Sequence, residues 1–236
     1  MLKEQLIKRS PLRVFDESLN GGLETGHLGV LTARKGVGKT ACLVHIATDK
    51  LLRGENVLHI SFADDPKHII TWYEQVFREV ARAYKLENAM DVHDEIIRQR
   101  LILHFKQPDI PFTEIKSNIS QLKGGLSGEP QLIVVDGFPF EDAAPERLEE
   151  WKKFAEELRA PIWFSATLHR EKLELDAHGV PAPVNKFYDL LSVIIMLKPM
   201  QNHTEFNLLK SSQNGGDRKI QLKLDPKTLL ISNHRV

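Results

Sequence analysis

The sequence predicts an α/β fold with a mostly parallel sheet, helices on both faces and an antiparallel C-terminal flank. Up to Arg170, short apolar runs alternate with longer amphipathic stretches, a pattern typical of parallel strands joined by helices. After Arg170 the pattern changes to β-rich runs at hairpin spacing. Because no linker rich in Pro, Gly or Ser interrupts the chain, we expect one domain over residues 1–236.

The N-terminal half predicts strands and helices on either side of a glycine-containing turn. The first strand, Leu28–Thr32, is apolar and leads into this turn. Ala41–Leu52 follows as a helix with one apolar stripe, and Gly54 ends it. The other predicted elements are a strand at Val57–Phe62, a helix at Pro66–Tyr84, an inserted helix at Leu86–Arg100 and a strand at Leu101–Phe105.

The C-terminal half predicts two more helices and the antiparallel flank. Leu132–Val135 is a wholly apolar strand that ends in Asp136. The other predicted elements are helices at Phe112–Leu122 and Pro145–Leu158, loops at Gly124–Pro130 and 171–187, a strand at Ile162–Phe164, β-rich runs at Leu190–Leu197, Thr204–Leu209 and Lys219–Leu224, a turn at Asp225–Thr228 and a last short strand.

Composition limits the function classes. The chain has 32 basic and 32 acidic side chains, so its formal net charge is zero and a globally basic nucleic-acid coat is excluded. The single cysteine, Cys42, excludes an intrachain disulfide and fits a reducing cytosol. We find neither a signal-peptide pattern nor an apolar run of membrane-spanning length. We therefore expect a cytoplasmic protein with no membrane partner.

The strongest motif is a phosphate-loop pattern between the first strand and the first long helix. It starts with Ala33 where the strict pattern has Gly, but it matches the relaxed pattern in full. Consecutive N–H groups at a helix N-terminus bind phosphate oxygens, and Lys39 adds a charge for the β- and γ-phosphates. The expected nucleotide-binding residues are Ala33, Arg34, Lys35, Gly36, Val37, Gly38, Lys39, Thr40 and Ala41.

Two residues are candidates for a magnesium site. The hydroxyl of Thr40 closes the phosphate-loop motif, and Asp136 ends a strand that is buried on both faces. Parallel strands deliver their final residues to one edge of the sheet, so we expect Asp136 beside the phosphate loop. Asp136 as an ordinary residue in a turn remains the alternative.

Segments outside the phosphate loop carry a family resemblance. Residues 15–26 resemble the pattern LDxxLgGGLxxG, and residues 210–226 resemble the ending KxRxG…lrFDP. On these motifs the chain resembles the RecA superfamily, most closely its KaiC-like branch, and is also similar to DnaB-type helicase cores. The resemblance covers nearly the whole chain. It implies a RecA-like P-loop core, ATP as the nucleotide, and a homo-oligomeric ring or filament with ATP at the subunit interface.

The chain departs from this family at two catalytic positions. The family has a glutamate at the end of the second strand that polarises the attacking water, and here Ala63 occupies that position with Asp64 one residue later. The family's Lys-x-Arg appears as Lys210-Ser211-Ser212, which retains the lysine and lacks the arginine. Arg218 is a distant substitute. These losses predict slow hydrolysis, because general-base positioning contributes about 10²–10⁴-fold and an arginine finger about 10³–10⁵-fold.

The resemblance also suggests the remaining site residues. It implies a polar γ-phosphate sensor after the fifth strand, for which Thr167 and His169 are the candidates, with loop capping as the alternative. It also implies that Lys210 contacts nucleotide, while Asp64 and Lys39 are the catalytic candidates. The loop 171–187 corresponds to a nucleic-acid-contacting segment in RecA-type proteins, but it mixes acidic and basic residues without aromatic interleaving, so nucleic acid is not favoured.

The motifs and departures together predict an ATP- and Mg²⁺-binding protein that acts as a nucleotide-controlled switch or assembly unit, with slow or no hydrolysis. One alternative is an active DNA-stimulated ATPase. Another is a non-catalytic partner of a second RecA-like subunit, which would supply the missing glutamate and arginine.

Overall fold

A nine-stranded sheet organises the chain. The computed structural model describes residues 3–168, 174–211 and 218–233, apart from the side chain of Lys123. The strand order is β3-β2-β4-β5-β1-β6-β7-β8-β9; neighbours from β3 to β6 are parallel, and those from β6 to β9 are antiparallel. The strands are β1 Leu28–Arg34, β2 Val57–Ser61, β3 Arg100–His104, β4 Leu132–Asp136, β5 Ile162–Leu168, β6 Val193–Pro199, β7 Thr204–Lys210, β8 Arg218–Leu224 and β9 Ile231–Asn233.

Helices cover both faces of the parallel part. Side chains from α1 to α5 join the apolar cluster on one face, and those of α6 and α7 join the cluster on the other. The helices are α1 Lys3–Arg9, α2 Leu12–Ser18, α3 Lys39–Leu52, α4 Pro66–Ala83, α5 Ala89–Arg98, α6 Phe112–Leu122 and α7 Pro145–Leu158, with short 3₁₀ turns at Lys123–Gly125 and Val184–Phe187.

Burial along the strands follows this layering. All five residues of β4 are buried; Leu132 and Val134 face one cluster, while Ile133 and Val135 face the other. In β8 the pattern alternates, because Leu222 is buried and its neighbour Gln221 is exposed. The central strands are therefore covered on both faces, whereas the antiparallel flank is covered on one.

The predicted fold class is confirmed, and the differences lie at element ends. The predicted strand start at Leu190 is wrong: the N–H groups of Leu190 and Leu191 donate to the Phe187 carbonyl, so a turn precedes Val193. The helix expected from Leu86 begins at Ala89, because Asn88 has a left-handed φ of +53°. Within the predicted loop 171–187 lies the 3₁₀ turn at Val184–Phe187; residues 171–173 lie outside the described part.

Two helices were not expected from the sequence. Both α1 and α2 have seven residues, and each presents buried apolar residues to the cluster that contains α3. In the described part of the chain, no helix combines the length and apolarity that crossing a bilayer requires.

Candidate functional site

The phosphate loop, residues 33–40, connects the end of β1 to the start of α3 at the carboxyl edge of the parallel strands. Gly36 and Gly38 have φ values of +82° and +108°, a region that glycine enters at little cost. At Gly38 a Cβ atom would also lie 2.4 Å from Leu224 Cδ2. The backbone path of the loop therefore requires both glycines.

The first turn of α3 supplies backbone donors. The N–H of Cys42 donates to the Gly38 carbonyl at 3.0 Å, the first bond of the helical ladder. The N–H groups of Lys39, Thr40 and Ala41 precede that bond and have no carbonyl of the helix to reach. With the positive end of the helix dipole, these groups provide a place for an anion.

The Lys39 ammonium lies at the mouth of the loop. Its Nζ donates to the carbonyls of Ala33 at 3.1 Å and Arg34 at 3.2 Å, and the residue is only 8% exposed. Burial lowers the pKa of Lys39, and the Asp136 carboxylate acts in the opposite direction. An anion bound at the loop would stabilise the charged ammonium further. The neighbours Lys35 and Gly36 are exposed on the outer side of the loop.

The antiparallel flank braces the loop from behind. The hydroxyl of Thr204, at the start of β7, donates to the Val37 carbonyl at 3.3 Å. Leu224, at the end of β8, fills the space where Gly38 lacks a side chain. The conformation of the loop thus depends on residues far along the chain.

Asp136 lies beside the loop, as the strand pattern predicted. The Thr40 Oγ1 hydroxyl donates to Asp136 Oδ2 at 2.8 Å, and Asp136 is 3% exposed. A hydroxyl and a carboxylate are hard oxygen donors that fit Mg²⁺, which is usually held by one or two protein ligands together with phosphates and water. Among the described residues, no cluster of three or more His, Cys, Asp or Glu side chains competes as a metal site.

Ser165 is a site residue that the sequence did not identify as one. It lies on β5 next to Asp136, is 2% exposed, and donates its hydroxyl proton to Asp136 Oδ1. The N–H of Gly137 donates to Ser165 Oγ at 2.9 Å. The buried strand end between Phe164 and Thr167 carried no local signal for this contact, which depends on β4 and β5 being neighbours.

The end of β2 is arranged differently. Ser61 is level with Asp136 in the sheet, and its hydroxyl accepts from the N–H of Asp64 at 2.9 Å. The Asp64 carboxylate lies 3.1 Å from Nδ1 of His68, and its side chain is 32% exposed. Ala63, at the position where the resemblance implies a glutamate, is exposed.

The two sensor candidates have different standing. Thr167 pairs with Ala33 across the β1–β5 ladder and is exposed, which puts it beside the start of the phosphate loop. His169 lies outside the described residues.

Lys210 does not join the phosphate loop within one chain. It pairs with Ile194 on β6, which is level with Val30 on β1, and so lies roughly 13 Å short of Arg34 along the strand direction. Its Nζ donates to the Tyr188 carbonyl at 2.6 Å and lies 3.9 Å from the centre of the Tyr188 ring.

Comparisons with known proteins agree with this geometry. No protein-family model matches the chain. Over 50 residues it is 48% identical to the DnaB-like replicative helicase of Enterobacteria phage T4, a match that spans 21% of this chain and a tenth of that helicase. Among solved structures, the ATPase domain of a DnaB-like helicase superposes with a TM-score of 0.69 and 15% identity, covering 94% of this chain and 89% of the solved chain. This chain therefore has the fold of that ATPase domain, and the RecA-like fold predicted from its sequence is confirmed.

Proposed function

We propose that this protein binds ATP with Mg²⁺ at the phosphate loop. The observation that carries the proposal is the 2.8 Å contact between Thr40 Oγ1 and Asp136 Oδ2, which joins the end of the loop to a strand 96 positions away. Both oxygens lie beside an ammonium, Lys39, and a helix N-terminus. Bound Mg²⁺ would neutralise phosphate charge, while Thr40 and Asp136 would hold it and Lys39 would hold the phosphates.

The protein acts as a nucleotide-controlled switch or assembly unit with slow hydrolysis. The support is the contrast between the buried Mg²⁺ candidates and the open end of β2, where Ala63 offers no base. Asp64 is the remaining candidate base, but its carboxylate is paired with His68. A protein that holds ATP longer than it cleaves it suits control of assembly better than movement.

Assembly places ATP at the interface of a homo-oligomeric ring or filament. Lys210 supports this proposal, because it lies toward the sheet edge opposite the phosphate loop and can reach only the nucleotide of a neighbouring copy. The KaiC-like relationship and a separate protein partner belong to the same proposal.

The test is nucleotide binding by a variant that lacks the ammonium. Lys39→Ala should weaken the affinity for a fluorescent ATP analogue about 10- to 100-fold, the effect of losing a charge-assisted contact to phosphate. The matched control is Lys153→Ala, which removes an exposed lysine on α7, on the other face of the sheet. Equal affinities in wild type, Lys39→Ala and Lys153→Ala would refute the proposal.

A DNA-stimulated ATPase is the second candidate, and the local identity to a replicative helicase favours it. The described part of the loop 171–187 argues against it, since Lys186 donates to the Glu141 carbonyl and Glu174 and Asp176 offset its charge. Phosphate release with and without single-stranded DNA separates the two. We expect no stimulation; a tenfold increase would establish the helicase-type alternative.

A further inference from the structure

Ser165 is held in a chain of two hydrogen bonds that ends on the candidate Mg²⁺ ligand. The Gly137 N–H donates to Ser165 Oγ, and Ser165 Oγ donates to Asp136 Oδ1. A serine hydroxyl has one proton, and the bond from Gly137 occupies one of its lone pairs. The Ser165 proton is therefore directed at the carboxylate.

This bond fixes the plane of the Asp136 carboxylate. The terminal torsion of an aspartate is broad and roughly two-fold, so an unrestrained carboxylate can rotate. With Oδ1 held by Ser165, Oδ2 is left to face Thr40 at 2.8 Å. The two oxygens have separate partners, and only Oδ2 lies on the side of the phosphate loop.

The backbone beneath Ser165 is also constrained. Gly137 has a φ of +76°, and a Cβ atom there would lie 2.6 Å from the Cβ of Ala63. The close approach of Ala63 keeps Gly137 in the conformation that points its N–H at Ser165. The small residues at 63 and 137 therefore contribute to the geometry of the hydrogen-bond chain.

We propose that Ser165 is a positioning residue that sets the Asp136 carboxylate for Mg²⁺ without contacting the ion. This inference rests on the proposed function, since it needs Mg²⁺-nucleotide as the ligand. Outer groups that orient a metal ligand typically contribute about 10- to 100-fold to metal affinity. Loss of the Ser165 hydroxyl should therefore weaken Mg²⁺ binding and leave Mg²⁺-free nucleotide binding unchanged.

The experiment titrates Mg²⁺ into the full chain with a fluorescent ATP analogue and measures affinity in EDTA as a separate arm. In Ser165→Ala the Mg²⁺ midpoint should rise about tenfold, with the EDTA affinity within about twofold of wild type. Ser165→Cys, which fills nearly the same space with a weak donor, should give an intermediate shift and guards against misfolding of the alanine variant. Thr48→Val is the matched control, because it removes a buried hydroxyl that has no hydrogen-bond partner among the described residues.

The outcomes separate the two proposals. If wild type binds no nucleotide in either arm, the proposed function fails and the inference about Ser165 fails with it. If wild type binds with Mg²⁺ but the midpoint stays the same in both Ser165 variants, nucleotide binding stands and the positioning role is refuted. A lower melting temperature with an unchanged midpoint would likewise mean that Ser165 only satisfies buried polar groups.

Discussion

Two aspartates at the same edge of the sheet have opposite surroundings. Asp136 is 3% exposed, and each of its carboxylate oxygens has a hydroxyl partner. Asp64, three residues beyond the neighbouring strand position, has a side chain that is 32% exposed and paired with an exposed histidine, His68. One carboxylate is fixed before any ligand arrives, whereas the other is shared with solvent.

The difference separates binding from cleavage. A fixed, desolvated carboxylate costs little reorganisation when it holds a cation. A solvated carboxylate must leave its histidine and find the attacking water before it can act as a base. The molecule therefore has the geometry for holding nucleotide more completely than the geometry for hydrolysing it.

The largest effect should come from changing the two aspartates separately. Asp136→Asn keeps the volume and removes the charge, so the gain in nucleotide affinity on adding Mg²⁺ should fall about 100-fold, as expected when a direct ligand of a divalent cation is lost. Asp64→Asn is the matched change and should leave the gain intact. The comparison breaks down if both variants lose it equally; binding with and without Mg²⁺ measures this.

The histidines beside the aspartates sharpen the comparison through pH. Burial lowers the pKa of His59 to about 4, while Asp136 acts in the opposite direction; Tyr73 contacts its Nδ1 at 3.0 Å. Because the unfolded chain protonates near pH 6.5, the stability from neutral His59 is present above that pH and is lost as pH falls toward 4. Between pH 7 and pH 5 the loss should be about 2 kcal/mol.

Denaturant unfolding at several pH values measures this loss. His59→Gln should reduce the acid-induced fall by about half, because burial also lowers the pKa of His45 to about 4 and that residue still titrates. His68→Gln, beside Asp64, should leave the pH dependence unchanged, since His68 is exposed. An equal effect of both substitutions would contradict the assignment of the pH dependence to the buried side.

The smallest effect should come from adding the missing base. Ala63 is exposed, so a longer side chain has room, and Ala63→Glu should raise the rate of phosphate release about tenfold or more, at the low end of what general-base positioning contributes. Ala63→Gln has the same length without the carboxylate and should show no increase. Equal rates in both variants would mean that hydrolysis is limited elsewhere, for example by the absent arginine.

Periodicity and motif spacing predicted the sheet, the phosphate loop and the placement of Asp136, because each depends on local pattern or on parallel strands ending at one edge. The short helices α1 and α2 escaped prediction, since seven residues hold too few turns for a clear apolar stripe. Ser165 escaped for another reason: its hydroxyl meets Asp136 only because β4 and β5 are neighbours, which no local pattern records. The direction of Lys210 likewise follows from sheet order.

The dependence of the phosphate loop on Thr204 and Leu224 has a consequence for biosynthesis. Residues 33–40 leave the ribosome early, yet the contact from Thr204 joins positions 167 apart, and Leu224 comes later still. A nascent chain therefore lacks the support of the finished loop until nearly all of the polypeptide has been translated. Nucleotide capture should mark the end of folding, so that only complete subunits become competent to respond to ATP.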